Sequence, residues 1–261
     1  MILVTGGSGY VGTAVRDVLN EMQLAHNTIT RKSFAENCVE FDLLEGRTSE
    51  LSDIVNAHSH IIHCAWFVDR DKYLTGEENF DWVSASMRLA SVADNRKVKH
   101  FNGIGTCLEY KSSPLPKNIR SELGANSNYA AAKIATYIGL KQILEKNQIK
   151  FAWSRMFHVF GNQEHPKKLI PTINRCILHN EQYEFTASNQ IIDLSHIIKI
   201  AQDLVNITAG EKQGAFNVCS GTAKTIREVA TEIAGEAFAR KYFKFSDEST
   251  ARNNLAGERF V

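Results

Sequence analysis

The stretch from Thr5 to Gly12 reads TGGSGYVG, and it decides how the rest of the sequence is interpreted. It follows an apolar run of strand length at 1–4 and opens a segment, 10–22, in which apolar residues recur every three or four positions. A glycine-rich turn between a strand and a helix can hold a pyrophosphate, because the helix N-terminus offers amide donors and partial positive charge. We therefore predict a dinucleotide-binding turn made by Gly6, Gly9, Tyr10, Val11 and Gly12. The alternative is a turn that binds nothing, which would lose backbone entropy without an evident structural return.

Strand-length apolar runs alternate with longer helical patterns along the rest of the chain. The strands are predicted near 27–30, 60–64, 99–104, 151–156 and 216–219, and helices near 80–94 and 128–145. This alternation is typical of right-handed βαβ units, so we predict an α/β fold with a Rossmann-like doubly wound parallel sheet. The second half is less regular, with a loop at 161–171 and short extended segments at 183–194.

The irregular second half indicates a smaller, discontinuous C-terminal domain. We expect a dinucleotide-binding domain of residues 1–160 plus about 191–220, and a substrate-binding domain of about 161–190 and 221–261.

The composition excludes several classes of protein. The 261 residues are 43% hydrophobic and 23% charged, and the formal net charge of +1 gives no field that would attract nucleic acid or an anionic membrane. The chain opens without the pattern of a signal peptide, and no apolar run reaches about 18 residues, so we expect a cytoplasmic protein without membrane partners. Five cysteines without any Cys-x-x-Cys pair indicate reduced thiols and no metal site.

The residues that follow the second predicted strand indicate which cofactor is bound. An acidic residue there would bind the ribose 2′-hydroxyl of NAD, but this chain has Thr30, Arg31, Lys32 and Ser33. A guanidinium beside an ammonium suits a 2′-phosphate, so Arg31 and Lys32 favour NADP(H). NAD(H) stays possible, because two basic residues can also belong to an ordinary solvated loop.

Tyr129 and Lys133 are the candidate catalytic pair. Their four-residue spacing places both on one face of a helix, and a neighbouring cation favours the phenolate, which would bring the phenol pKa closer to neutral. The same spacing recurs at Tyr137 and Lys141, so spacing alone does not decide. Tyr129 follows a polar stretch and is expected in the first helical turn, near the carboxyl edge of the sheet, whereas Tyr137 lies two turns deeper.

The chain resembles the extended short-chain dehydrogenase/reductases that act on nucleotide sugars, a group of epimerases, dehydratases and 4-keto-sugar reductases. The resemblance covers nearly the whole length and rests on four motifs in order. They are the glycine turn 5–12, Asp42-Leu43, His63-Cys64-Ala65-Trp66, and Tyr129 with Lys133. The stretches 155–161 and 169–171 are also similar to family landmarks.

The resemblance implies roles for individual residues. It adds to the cofactor site Asp42, Leu43, Cys64, Ala65, Trp66, Tyr129 and Lys133, and it places Thr106 in the Ser/Thr position of a catalytic triad with Tyr129 and Lys133. The substrate site would contain Thr106, Cys107, Lys168 and Arg252. It also implies a homodimer through the helices near 80–94 and 128–145. Alternatives stay open: Asp42 as a helix cap, His63 as a core residue, Thr106 as a packing residue and the helix stripes as ordinary core.

Departures from the family pattern narrow the reaction. Dehydratases of the family carry an Asp-Glu pair directly after the Ser/Thr, but Cys107 and Leu108 stand there and cannot eliminate water as an acid and a base. Many relatives also place an arginine before the aspartate at 193 to hold the pyrophosphate, and Ile192 cannot do so. Lys167, Lys168 or Arg252 could supply the charge, or the carbonyl substrate could be of another kind.

These observations predict NADPH-dependent reduction of a keto group on a nucleotide-activated sugar, at C4 of a 4-keto-6-deoxyhexose. Tyr129 would donate the proton, Lys133 would bind the nicotinamide ribose and lower the phenol pKa, and Thr106 would hold the carbonyl oxygen. The alternatives are an NAD(P)-dependent nucleotide-sugar epimerase and a non-catalytic NAD(P)-binding regulatory protein.

Overall fold

A seven-stranded sheet lies at the centre of the computed structural model, which describes residues 1–33, 35–69, 71–246 and 254–259. Every neighbouring pair of strands is parallel. The strands, in spatial order, are β10 (Gly214–Val218), β6 (Lys150–Met156), β5 (His100–Thr106), β4 (His60–His63), β1 (Ile2–Thr5), β2 (His26–Thr30) and β3 (Cys38–Glu40). The strand order reverses between β1 and β4, where open α/β sheets form a ligand crevice at the carboxyl ends of their strands. The predicted Rossmann-like sheet is confirmed.

Helices cover both faces of this sheet. The helices are α1 (Tyr10–Glu21) and α6 (Ile197–Ala209) on one face, and α2 (Thr48–Asn56), α3 (Glu78–Ser91) and α4 (Asn128–Lys146) on the other. Side chains alternate along each strand, so that Ile2 and Val4 pack with α1 and α6 while Leu3 packs with the opposite cluster. Burial on both faces explains why β1 is apolar from Ile2 to Val4 without interruption.

The remaining elements build smaller sheets with a separate hydrophobic cluster. The strands are β7 (His158–Phe160), β9 (Ile191–His196), β11 (Ala223–Thr225) and β13 (Asn254–Leu255) in one sheet, and β8 (Tyr183–Phe185) with β12 (Phe243–Phe245) in another. The accompanying helices are α5 (Leu169–His179), α7 (Ile226–Ala234) and α8 (Glu236–Tyr242). The strand β9 therefore lies outside the central sheet, whereas β10 is one of its strands and α6 packs against one of its faces. The two-domain division with its predicted boundaries stays a prediction.

The C-terminal residues 254–259 are held against the body of the protein. Lys117 donates its amide N–H to the Ala256 carbonyl at 2.8 Å, and its own carbonyl accepts from the Glu258 amide at 2.9 Å. The Arg259 guanidinium donates to the buried Asp203 carboxylate at 2.9 Å. This segment thus packs beside the loop that follows β5. Arg252, predicted to bind substrate, lies outside the described residues.

Within the described ranges, no helix is both long and apolar enough to cross a membrane. In the same part of the chain, no group of three or more His, Cys, Asp or Glu side chains is arranged to hold a metal ion. All five cysteines are free thiols.

Candidate active site

The glycine turn after β1 has the shape that a bound phosphate needs. Gly6 has φ of +67°, and a Cβ added to it would lie 2.6 Å from the Ala65 Cα, so only glycine fits between the turn and the loop after β4. A Cβ on Gly12 would lie 2.2 Å from the Gly6 carbonyl oxygen, which shows how closely α1 packs on the turn. Gly9 caps α1, and no side chain caps the helix or places an acid in its first turn. The helix N-terminus therefore fits an anionic group.

The residues predicted to bind the adenosine half lie at the ends of β2 and β3. Arg31 and Lys32 are exposed directly after β2 and form no ion pair in the part of the chain that the structure describes. Asp42 accepts the Leu44 amide N–H at 2.8 Å, so one of its oxygens stabilises the local turn. Leu43 is buried, and its carbonyl accepts from the Arg88 guanidinium.

His63 belongs to a directed chain of hydrogen bonds beneath the glycine turn. The Ala65 amide donates to Thr5 Oγ1 at 3.3 Å, and Thr5 Oγ1 lies 2.7 Å from His63 Nδ1. His63 Nε2 lies 2.8 Å from Ser86 Oγ, whose hydroxyl donates to the Trp82 carbonyl at 2.6 Å. Because the Ser86 proton is used, Nε2 must donate and Nδ1 must accept, so the neutral ring satisfies both of its nitrogens. His63 is thus a hydrogen-bonded core residue that positions the loop containing Ala65.

Because His63 is buried in its neutral form, we expect the free energy of unfolding to fall in acid. Burial, helped by the Lys133 charge, lowers the pKa of His63 from 6.5 to about 3. Since the unfolded chain takes up this proton first, the contribution of His63 is complete above pH 6.5 and is lost as the pH falls toward 3. By pH 5 we expect a loss of about 2 kcal/mol in the free energy of unfolding from this group. Urea unfolding between pH 7 and pH 5 should show a shallower decline in His63→Gln than in the wild type, whereas the exposed His179→Gln should leave the slope unchanged. Equal slopes in all three proteins would contradict the assignment.

Tyr129 and Thr106 meet at the carboxyl end of β5. The Ser127 side chain accepts the Ala130 amide at 3.2 Å and starts α4, so Tyr129 lies in its first turn. Thr106 is the last residue of β5, and its side chain interacts with the Tyr129 phenol. Burial raises the pKa of Tyr129 above its ordinary value, although the interaction with Thr106 acts in the opposite direction.

Lys133 lies one turn further along α4 and is buried. Its ammonium donates to the Ile104 carbonyl at 2.8 Å and lies 3.5 Å from the centroid of a Trp66 ring, but 6.0 Å from that of Tyr129. Burial lowers the Lys133 pKa to about 7. In this structure, burial therefore outweighs the lowering of the phenol pKa that we expected from the pair.

Glu109 is a residue of this region whose role the sequence did not reveal. It ends a short 3-10 helix, Cys107–Glu109, and its carboxylate accepts the Thr106 amide at 2.8 Å. The same fully buried carboxylate accepts from the Arg155 guanidinium at 2.7 Å and from the Trp153 indole at 2.9 Å. The ion pair therefore fixes the backbone of Thr106. The one sequence signal for this pair was that Arg155 lies in the stretch 155–161, which is similar to a family landmark. The contact itself could not be predicted, because 46 positions separate the two residues.

The residues after Thr106 are not an acid and a base. Cys107 is buried, and its pKa rises to about 12, mainly because of that burial. Leu108 packs in a small apolar cluster that also contains Tyr110 and Phe157. The structure thus offers no proton donor and acceptor pair at these two positions.

Lys168, a predicted substrate residue, lies beside the glycine turn. Its ammonium is 5.1 Å from the centroid of the Tyr10 ring and 3.7 Å from Glu164 Oε1. Burial and Glu164 raise the Tyr10 pKa to about 12.

Ile192 is buried in the cluster of the smaller sheets, and Asp193 accepts the Ser220 and Gly221 amides, both at 2.8 Å.

The second tyrosine and lysine pair has a different setting. The Tyr137 ring lies 6.2 Å from that of Phe151 and 5.7 Å from that of Trp153, and Lys141 is exposed. Tyr137 therefore packs against β6, and its ring also lies 4.9 Å from Arg155 Cζ.

Comparison with known proteins places this geometry in context. The model of the NAD dependent epimerase/dehydratase family matches residues 2–219. The chain is 21% identical over 257 residues to a dTDP-6-deoxy-L-talose 4-dehydrogenase (NAD(+)) from Aggregatibacter actinomycetemcomitans, covering 90% of each chain. It is 23% identical to a CDP-abequose synthase from Salmonella muenchen, covering 86% of this chain and 76% of that one. The fold is also similar to that of a UDP-N-acetylglucosamine 4-epimerase from Bacillus cereus, with a TM-score of 0.81 and 23% identity over 94% of this chain and 84% of the other.

Proposed function

Since the chain belongs to the NAD dependent epimerase/dehydratase family, we propose that it is an enzyme that reduces a keto group on a nucleotide-activated sugar, with NADPH as the reductant. The observation that carries this proposal is that Thr106 and Tyr129 interact at the carboxyl end of β5, with Lys133 one turn away along α4. The substrate class is supported by the curated relatives, whose names refer to dTDP-linked and CDP-linked deoxysugars. We propose C4 of a 4-keto-6-deoxyhexose as the reduced position.

The residues of the site have distinct tasks in this proposal. A bound nicotinamide would supply the hydride, and the glycine turn with Ala65 would hold its pyrophosphate and ribose. Tyr129 would donate a proton to the substrate oxygen, and its raised pKa keeps the phenol protonated until that moment. Thr106 would orient the same oxygen. The Lys133 ammonium would contact the nicotinamide ribose and stabilise the tyrosinate that is left after proton transfer.

The chemistry at positions 107 and 108 favours a reductase over a dehydratase, because water elimination needs an acid and a base there. An epimerase is the second candidate, since several proteins of similar fold are named as epimerases. Two assays distinguish these possibilities: a nucleoside diphosphate 4-keto-6-deoxyhexose with NADPH, and a nucleoside diphosphate hexose that carries a C4 hydroxyl with the oxidised cofactor. A reductase consumes NADPH in proportion to product, whereas an epimerase interconverts nucleotide sugars without net consumption. Absence of both reactions, with cofactor still bound, would favour a non-catalytic NAD(P)-binding protein.

The NADP(H) preference rests on Arg31 and Lys32, which are exposed at the end of β2. Each could make charge-assisted hydrogen bonds to a 2′-phosphate, so Arg31→Ala with Lys32→Ala should weaken NADPH binding about 10- to 100-fold and leave NADH binding nearly unchanged. Isothermal titration and thermal shifts with both cofactors measure this. The matched control replaces the same two residue types, Arg96 and Lys97. These residues precede β5 and lie at the amino-terminal ends of the strands, opposite the candidate site. Equal loss of NADH and NADPH affinity in the first variant would contradict the proposal, and NAD(H) would then be the cofactor.

Three further assignments stay predictions. Lys168 is proposed to supply positive charge to the substrate diphosphate, since Ile192 is buried and cannot. The homodimer is proposed to form through α3 and α4, which pack together and expose Phe80 and Ile138. We also propose that residues of about 161–190 and 221–261 bind the nucleotide sugar.

A further inference from the structure

Trp66 is held in a fixed orientation at the start of the loop that follows β4. Its buried indole donates Nε1–H to Asn79 Oδ1 at 2.9 Å. Asn79 is itself fully buried and donates to the carbonyls of Tyr73 at 2.7 Å and of Gly76 at 2.9 Å. The amide of Asn79 therefore links Trp66 to the backbone of Tyr73 and Gly76 and sets the plane of the Trp66 ring.

The face of this ring covers the Lys133 ammonium. The distance of 3.5 Å from Nζ to a Trp66 ring centroid is the shortest cation to ring distance of Lys133, since Tyr129 and Trp153 lie at 6.0 Å. A cation this close to an indole face is attracted by the ring quadrupole, and tryptophan is the most effective partner for it. Within the described residues, the Ile104 carbonyl is the one hydrogen-bond acceptor of Nζ. The indole thus adds a favourable contact to a buried charge.

The same loop also contacts Tyr129. The rings of Trp66 and Tyr73 approach the Tyr129 ring edge to face, with centroids 6.4 and 5.4 Å away. The Tyr129 amide donates to the Leu74 carbonyl at 3.1 Å. One loop therefore positions both members of the candidate catalytic pair.

We infer that Trp66 is a positioning residue whose indole face keeps the Lys133 ammonium charged and in place beside Tyr129. The inference rests on the proposed function for the task of Lys133, but the contact itself can be tested without cofactor. Burial brings the Lys133 pKa close to neutral, so a modest loss of π stabilisation changes its charge under ordinary conditions. The other titratable groups that act on it are Glu109 and Cys64, which raise its pKa, while Lys133 in turn lowers that of His63.

The test compares Trp66→Phe with Trp66→Leu. Both side chains are smaller than tryptophan and open the site to water to a similar extent, but only phenylalanine keeps a π face. In ligand-free protein labelled with ¹³C at lysine Cε, the Lys133 resonance, identified by its absence from Lys133→Arg, should titrate about half a unit to one unit lower in the leucine variant than in the phenylalanine variant. The control Trp82→Leu, at a partly buried tryptophan of α3, should leave the Lys133 titration unchanged.

Activity supplies an independent readout. Above the Lys133 pKa, kcat/KM with NADPH should fall about three- to tenfold more in the leucine variant than in the phenylalanine variant, and the difference should shrink at lower pH. Equal Lys133 titrations in the two variants would overturn the inference. A wild-type protein that neither binds nor oxidises NADPH would instead refute the proposed function, and the NMR comparison would still decide the role of Trp66.

Discussion

Replacing Tyr129 with phenylalanine should reduce turnover by about 10²- to 10⁴-fold, which is the range expected when a positioned general acid is lost. Phenylalanine keeps the ring that packs edge to face against Trp66 and Tyr73. It removes only the hydroxyl that interacts with Thr106. We therefore expect NADPH affinity to change little. Steady-state kinetics with a nucleotide-linked 4-keto sugar, together with cofactor titration, measure the two effects separately.

The matched control is Tyr137→Phe, two turns further along the same helix. It makes the identical chemical change on a ring that packs against Phe151 and Trp153. Turnover should be nearly unaffected, since phenylalanine keeps these ring contacts and the contact with Arg155. Full activity in Tyr129→Phe, or equal losses in both variants, would remove Tyr129 from the proposed chemistry.

The first βα unit was predictable because local signals agree there. Strand-length apolar residues, a glycine turn and a three-to-four residue period follow one another within 22 positions, and the structure has β1 and α1 in those places. The helix α4 was also predictable, since Ser127 is a good N-cap residue directly before it.

Other elements could not be predicted from the local sequence. The helix α6 begins with Ile197 and Ile198 immediately after a strand, so β-branched residues continue across the boundary and hide it. Its N-cap is His196, whose ring accepts the Ile198 amide at 3.3 Å, and histidine is not a usual capping residue. The predicted effect of Lys133 on the Tyr129 pKa also differed, because helical spacing does not reveal that Lys133 is buried and Tyr129 partly buried. Desolvation depends on the whole fold, and it raises the phenol pKa while lowering that of the lysine.

The Glu109 and Arg155 ion pair illustrates a contact that only sheet register creates. The parallel pairing of β5 and β6 sets Gly105 beside Arg155 and Thr106 beside Met156. A Cβ at position 105 would lie 2.4 Å from Glu109 Oε1, so the glycine leaves room for the carboxylate to turn back under the strand end. Glu109 therefore holds the Thr106 backbone through a hydrogen bond, while the Thr106 side chain interacts with Tyr129.

Glu109→Gln should be the most damaging single change to stability in this region. It leaves the Arg155 guanidinium buried without its carboxylate, and removing one member of a buried ion pair costs about 3 to 5 kcal/mol. For a chain of this size, such a loss corresponds to a decrease in melting temperature of about 10 °C. Thermal and urea unfolding measure the effect. The control Glu122→Gln disrupts the exposed pair with Lys111 and should cost about 1 kcal/mol or less.

A double variant separates the charge from the hydrogen bonds of Glu109. In Glu109→Leu with Arg155→Met, no buried charge is left unpaired, so part of the lost stability should return relative to Glu109→Gln. The recovery should be incomplete, because the Thr106 amide and the Trp153 indole both lose their acceptor. Activity should stay low even where stability returns, since the Thr106 backbone is no longer fixed beside Tyr129. A double variant with full activity would show that Glu109 stabilises the fold without positioning Thr106, and a Glu109→Gln protein as stable as the wild type would contradict the ion pair itself.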